Sequence, residues 1–256
     1  LTNINTTQVF SNVMVGQTLK NTPIKEIIFT ISFSENVSIE QLDKFKTLPQ
    51  ITEKFNSVVL GYNHEIVSSE DQQKVNTSVD GYVLKGDSTR IIKASRGAFA
   101  FHQMKGYEGF EKLMEELINY WSIFCDVTGQ LTVNNISLRY INFIEKEPEQ
   151  HIKDIINIYV QQPFGVSLQN YFNQLMFPYE QDANITVNII TACGKATNTN
   201  KIKGDGIVLD IILNRKIGEE KSNKVIFDYF SGLRAVKNDL FFKSITELTY
   251  KKYNND

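Results

Sequence analysis

The chain predicts an α+β fold, mostly antiparallel sheet with amphipathic helices on one face. Strand-like stretches come in runs rather than in strict alternation with helices, which argues against a doubly wound parallel sheet. Each run ends on an amphipathic helix, so Ile24–Ile144 and Gln161–Tyr250 read as two similar strands-then-helix halves, related by element order alone. One continuous sheet or two smaller ones would satisfy the pattern. The expected division is a loosely held Thr/Asn-rich arm over residues 1–23, a first half over 24–147 and a second over 148–256, the halves packed as one unit. The boundary falls at the polar stretch Glu145–Gln150.

Taken in order, IKEIIFTISFS (Ile24–Ser34) predicts a strand whose Ile27, Phe29, Ile31 and Phe33 share one face. Ser38 is the expected N-cap of a helix carrying Ile39, Leu42 and Phe45, which Pro49 stops. Phe55–Ser68 reads as a strand, followed by a polar link. A meander follows, with strands at Tyr82–Leu84, Arg90–Ser95 and Phe99–His102. From Tyr107 to Phe124, Phe110, Leu113, Met114, Leu117, Ile118 and Trp121 fall on one helical stripe. Leu131–Ile144 returns as a strand. In the second half we expect a short segment at Ile152–Val160, a helix around Ser167–Met176 and a turn at FPYEQDAN. Two strands and one long helix, Val225–Tyr250, complete it. That helix turns Ile226, Phe230, Leu233, Leu240 and Phe241 to the core, and Asp228, Lys237 and Asp239 to solvent.

Bulk properties exclude several function classes. The chain has 256 residues, 41% hydrophobic and 22% charged, enough to bury a sizeable core without disulfides. A net charge of −2 and scattered Lys/Arg groupings argue against nucleic acid as partner. No run of about 18 apolar residues is present, so no membrane helix is expected. The first twenty residues lack the basic and apolar regions of a signal peptide. Cys125 and Cys193 are far apart and form no CxxC or zinc spacing, so a reducing cytoplasm is the expected compartment.

Motifs for chemistry are scarce. No Gly-rich nucleotide fingerprint, phosphate loop or nucleophile elbow occurs, and KGDG (Lys203–Gly206) reads as a hairpin turn. His64, His102 and His151 have no nearby ligand partners, so neither metal nor other cofactor is expected. Glu108, Glu111 and Glu115 belong to a solvated helix face. Four residues remain as binding candidates: Arg96, His102, Arg139 and Asp210. His102 is either a strand-end residue capping a loop or a general base with Arg96 on the same meander. Alternation in ISLRYINF puts Ile136, Leu138, Tyr140 and Asn142 on one face and Arg139 on the other, with Ser137, Ile141 and Phe143. Arg139 is either a structural arginine bonded to a carboxylate or an anion ligand in a cleft, and Asp210 is its conceivable partner if the halves meet.

Short patterns in the middle of the chain add a likeness. RGAFAFHQ, the helix start Tyr107–Glu111 and the strand Ser137–Asn142, with Gly206–Ile211 and Phe242–Thr246, resemble a sporadically distributed bacterial family of uncharacterised proteins of about this length. Phe110 stands where that family's pattern has Trp. The resemblance implies a mobile or defence-associated context and supplies no catalytic residue. The function expected is therefore a non-catalytic cytoplasmic protein that holds a protein or peptide on a sheet face or strand edge, in a defence or toxin–antitoxin-like module, with self-association as a further option. The alternative is a small-ligand enzyme or sensor with its site between the halves.

Overall fold

The computed structural model of the chain describes residues 19–68, 73–87, 89–160, 171–198 and 201–255, and for 64–68, 73–76, 195–198 and 201–204 the backbone alone. Most of the expected arm, residues 1–18, lies outside the described residues. Its end is tied down: the Asn21 N–H donates to Tyr253 O at 3.0 Å, and Pro23 O accepts from Phe143 N–H at 2.9 Å.

Strand β1 (Ile24–Phe33) keeps its two-residue period, with Ile27, Phe29, Ile31 and Phe33 buried. Ser38 caps α1 (Ile39–Thr47) in a full capping box with Gln41, and Leu42 and Phe45 turn inward. Pro49 ends α1 and opens the single turn α2 (Pro49–Thr52). A hairpin follows, β2 (Ser57–Ser68) with β3 (Gln73–Lys85). Most of the stretch expected as a polar link is therefore strand. A two-stranded ribbon open on both faces needs no apolar face, so its sequence carries no alternation to read.

Strands β4 (Arg90–Ser95) and β5 (Ala98–Met104) complete the meander, and α3 (Phe110–Thr128) crosses the sheet. Phe110, Leu113, Met114, Leu117, Trp121 and Phe124 are buried; Ile118, expected in the core, lies at the edge of the stripe and is exposed. Strand β6 (Val133–Glu145) has the predicted faces. A short turn, α4 (Ile152–Ile155), precedes β7 (Phe172–Tyr179). The helix expected around Ser167–Met176 is contradicted where the segment is described: from Phe172 onward it is strand. Tyr171, Phe172, Leu175 and Met176 have helical spacing, but pairing with β8 (Asp182–Asn198) overrides it. Residues 161–170 lie outside the described residues.

Strand β9 (Lys201–Glu220) corrects a second expectation. Lys203–Gly206 is no turn but part of this strand, with Gly206 opposite both Gly194 and Glu145. A Cβ on Gly206 would lie 2.5 Å from Phe143 Cζ and 2.6 Å from Ile144 O, so the glycine makes room for the Phe143 ring. The single helix expected over Val225–Tyr250 is two, α5 (Asn223–Ser244) and α6 (Glu247–Asn254). Between them Ile245 bridges to Ile156, and Thr246 caps α6 by accepting from Thr249 N–H at 3.2 Å.

All nine strands form one antiparallel sheet in the order β2-β3-β4-β5-β1-β6-β9-β8-β7. Helices α1, α3 and α5 cover one face. Phe29, at its centre, meets Phe110 of α3 at 5.8 Å and Phe230 of α5 at 5.5 Å between ring centroids. Both halves share this core, because β6 pairs with β9 along its length. Lys237 also belongs to it, against expectation. It sits one turn from Leu233 and one from Phe241, on the buried stripe of α5, and is 8% exposed. No described helix is long and apolar enough to cross a membrane.

Candidate functional site

The face of the sheet opposite these helices carries four charged or titratable side chains on four consecutive strands. His102 of β5 is level with Ile28 of β1, which is level with Arg139 of β6. One row away, Glu26 of β1 is level with Ile141 of β6, which is level with Asp210 of β9. Adjacent strands lie about 4.8 Å apart, so the four groups form one compact cluster.

Two pairs make up the cluster. His102 Nδ1 lies 2.7 Å from Glu26 Oε1. This bond, the largest influence on it, holds the Glu26 carboxyl below the usual carboxylate range, and the charges of Lys93 and Arg139 act the same way. An ionised Glu26 only accepts, so the Nδ1 proton sits between them and Nε2 is the free nitrogen. That Nε2 is buried and has no partner, and His102 is 3% exposed. In the second pair, Arg139 Nε donates to both Asp210 oxygens at 3.0 and 3.1 Å, and Nη2 donates to Oδ2 at 2.6 Å. The bond to Asp210 makes the guanidinium still harder to deprotonate. Asp210 is 4% exposed, whereas the Arg139 side chain is 38% exposed.

Three of the four residues singled out in the sequence thus come together, and the Arg139–Asp210 bond joins the two halves. Arg96 does not join them. It lies on the β4–β5 turn, six residues before His102. Glu26 was missed: it is the one carboxylate on the outward face of β1, a signal that acquires meaning only once β5 is known to lie alongside. His102 is neither a loop cap nor paired with Arg96.

Chemically, the His102–Glu26 pair is an oriented imidazole, and Arg139 is a half-exposed cation whose charge Asp210 neutralises. No group of three or more His, Cys, Asp or Glu among the described residues could hold a metal. Burial pushes the Cys125 thiol up to about 12, while Cys193 is exposed. On α3, Glu111 pairs with Arg234, and Glu108, just before the helix, pairs with Arg90 and Lys112.

The edges of the sheet differ from its centre. Along β2, Val58, Val59, Leu60 and Tyr62 are 43–53% exposed, and Ser57–Asn63 contains no charged residue. Strand β3 pairs with β4 only over Gly81–Lys85, so beyond Gly81 the β2–β3 hairpin leaves the sheet as a two-stranded ribbon. At the other edge, β7 exposes Phe172, Leu175 and Met176, with Pro178 near its end.

No family model matches the chain, and no curated protein matches it. Among solved structures, one similar chain is described as KH domains, at 9% identity with a TM-score of 0.21. The match covers 91% of this chain and 64% of that one, so this chain spans less than two thirds of its length. At that score the likeness carries no argument about fold or function.

Proposed function

We propose that this is a non-catalytic cytoplasmic binding protein that holds a polypeptide partner in extended form along β2. The observation that carries the reading is the uncharged outer edge of β2, the end strand of the sheet, with four half-exposed apolar side chains and no strand paired beyond it among the described residues. Natural sheets usually blunt such an edge with charge, proline or a covering element. A partner strand would satisfy its free main-chain groups and cover Val58, Val59, Leu60 and Tyr62. The sequence resemblance would place the pair in a defence or toxin–antitoxin-like module. Native mass spectrometry on protein isolated from its host tests the idea, combined with hydrogen exchange across Ser57–Asn63. A co-purifying polypeptide that protects these amides and is lost in Leu60→Lys is the expected result. A complex that survives Leu60→Lys, or leaves these amides unprotected, refutes it.

A second reading, a small-ligand sensor or enzyme, rests on the unpartnered His102 Nε2 beside the Arg139–Asp210 pair. A ligand role for Arg139 requires that Arg139→Ala abolish ligand binding while the melting temperature stays put. A structural role predicts a lower melting temperature instead.

A further inference from the structure

The β4–β5 turn, where Arg96 sits, is part of a small built recess away from the open-face cluster. Three backbone hydrogen bonds stitch its walls together. The Phe33 N–H donates to Gly97 O at 3.1 Å, the Val37 N–H to Arg96 O at 2.9 Å, and the Arg96 N–H to Asp80 O at 3.0 Å. The end of β1, the β4–β5 turn and the base of the β2–β3 ribbon are thereby fixed relative to one another. Between them lies a cleft of about 400 Å³ whose polar lining includes Glu35, Asn36, Asn63, Ser78, Asp80 and Arg96. A pocket of that size suits a small molecule.

Arg96 is the unusual member. Both its backbone groups are used in the stitching, which fixes where the side chain starts. Its Nε is buried without a hydrogen-bond partner, and the guanidinium has no ion pair among the described residues. A guanidinium stays charged at any pH the protein meets, so a buried donor left unmade is costly, and an incoming acceptor would relieve that cost. The lining also says which acceptor. Arg96 contributes one positive charge, and Glu35 and Asp80 one negative charge each, so the cleft is net negative. Glu35 already accepts the Thr132 N–H at 2.8 Å through Oε2. Asp80 has no side-chain partner among the described residues. A free inorganic anion would gain Arg96 and be repelled by both carboxylates. A zwitterion satisfies both signs.

We propose that this cleft binds a free α-amino acid, its carboxylate on the Arg96 guanidinium and its ammonium on Asp80, with Asn36, Asn63 and Ser78 as neutral polar contacts. This site is separate from the β2 edge and does not rest on the partner-binding reading.

Isothermal titration calorimetry of the full chain with a panel of the L-amino acids tests the proposal. N-acetyl amino acids, amino acid amides and orthophosphate serve as single-charge probes. The first two also stand in for the C-terminus and the N-terminus of a peptide. The expected result is binding of one or a few amino acids at up to millimolar concentration, weakened about tenfold or more when either charge is blocked. Arg96→Gln and Asp80→Asn should each abolish that binding with the melting temperature retained. Asp80→Asn is isosteric and decides the matter if Arg96→Gln fails to fold. Absence of amino acid binding in the wild type overturns the proposal. So does equally tight binding of an N-acetyl or amide derivative, preferential binding of orthophosphate, or full binding by a folded Asp80→Asn.

Discussion

Replacing Lys237 by methionine should stabilise the protein, and by an amount that depends on pH. Lys237 Nζ lies 3.9 Å from the centre of the Tyr140 ring and 5.7 Å from that of Phe241, with no carboxylate paired to it among the described residues. Burial, with a smaller contribution from Arg234, pushes its amine down from 10.5 to about 7. The unfolded chain holds this proton until about pH 10.5 and the folded chain only until about pH 7. Between those limits the unfolded state binds more protons, so stability rises with pH across that window. At about 1.36 kcal/mol per pH unit the full penalty below pH 7 is about 5 kcal/mol. The Tyr140 ring favours the ammonium and, at this desolvated site, offsets about 2–3 kcal/mol of it. Met keeps the unbranched shape and carries no charge, so Lys237→Met should gain about 2–3 kcal/mol near pH 6. That corresponds to a rise of about 5–10 °C in melting temperature for a chain of this size. Urea unfolding of both proteins from about pH 6 to pH 10 is the assay, with the difference between them shrinking as pH rises. A constant difference across that range, or a less stable variant, would refute the reasoning.

Three further perturbations are specific. Arg139→Ala leaves the Asp210 carboxylate buried without its cation and should cost about 2–3 kcal/mol by urea unfolding, below the usual range for buried pairs because Arg139 is partly exposed; Arg139→Ala combined with Asp210→Asn should recover part of that loss. Gly206→Ala should cost about 1–3 kcal/mol through the clash with Phe143 and the Ile144 carbonyl, and adding Phe143→Leu should restore some of it. Ser38→Ala removes the acceptor that caps α1 and should lower stability by about 1 kcal/mol, read as a shift of the urea midpoint without a change in slope.

Local signals in the sequence were reliable where the chain answers to its own neighbours. The Ser38 N-cap is a local signal, the inward face of β1 and the split faces of β6 follow a period of two residues, and each is present. Signals failed where another strand decides. Phe172–Met176 has helical spacing but is held as strand by β8, and Lys203–Gly206 resembles a turn but is held straight between β8 and β6. The charge of Lys237 points to solvent, although its distance of four residues from both Leu233 and Phe241 puts it on the buried stripe. The Arg139–Asp210 pair was legible because each charge stood alone in an apolar strand. Glu26 was not, because it stands in the polar start of β1 beside Lys25, and only the pairing of β1 with β5 brings His102 to it.

The position of β1 at the centre of the sheet also shapes how the chain is made. Its neighbours β5 and β6 are synthesised after it, and Phe230, which caps Phe29, emerges about two hundred residues later. At about 5–20 residues per second, that is an interval of roughly 10–40 s on the ribosome. For most of it, the side chains that become the middle of the core have neither β9 nor α5 to pack on. A nascent chain in that condition is a natural client for holding chaperones. Its yield in a cell should then respond more to translation speed and chaperone supply than the equilibrium stability of the finished protein would suggest.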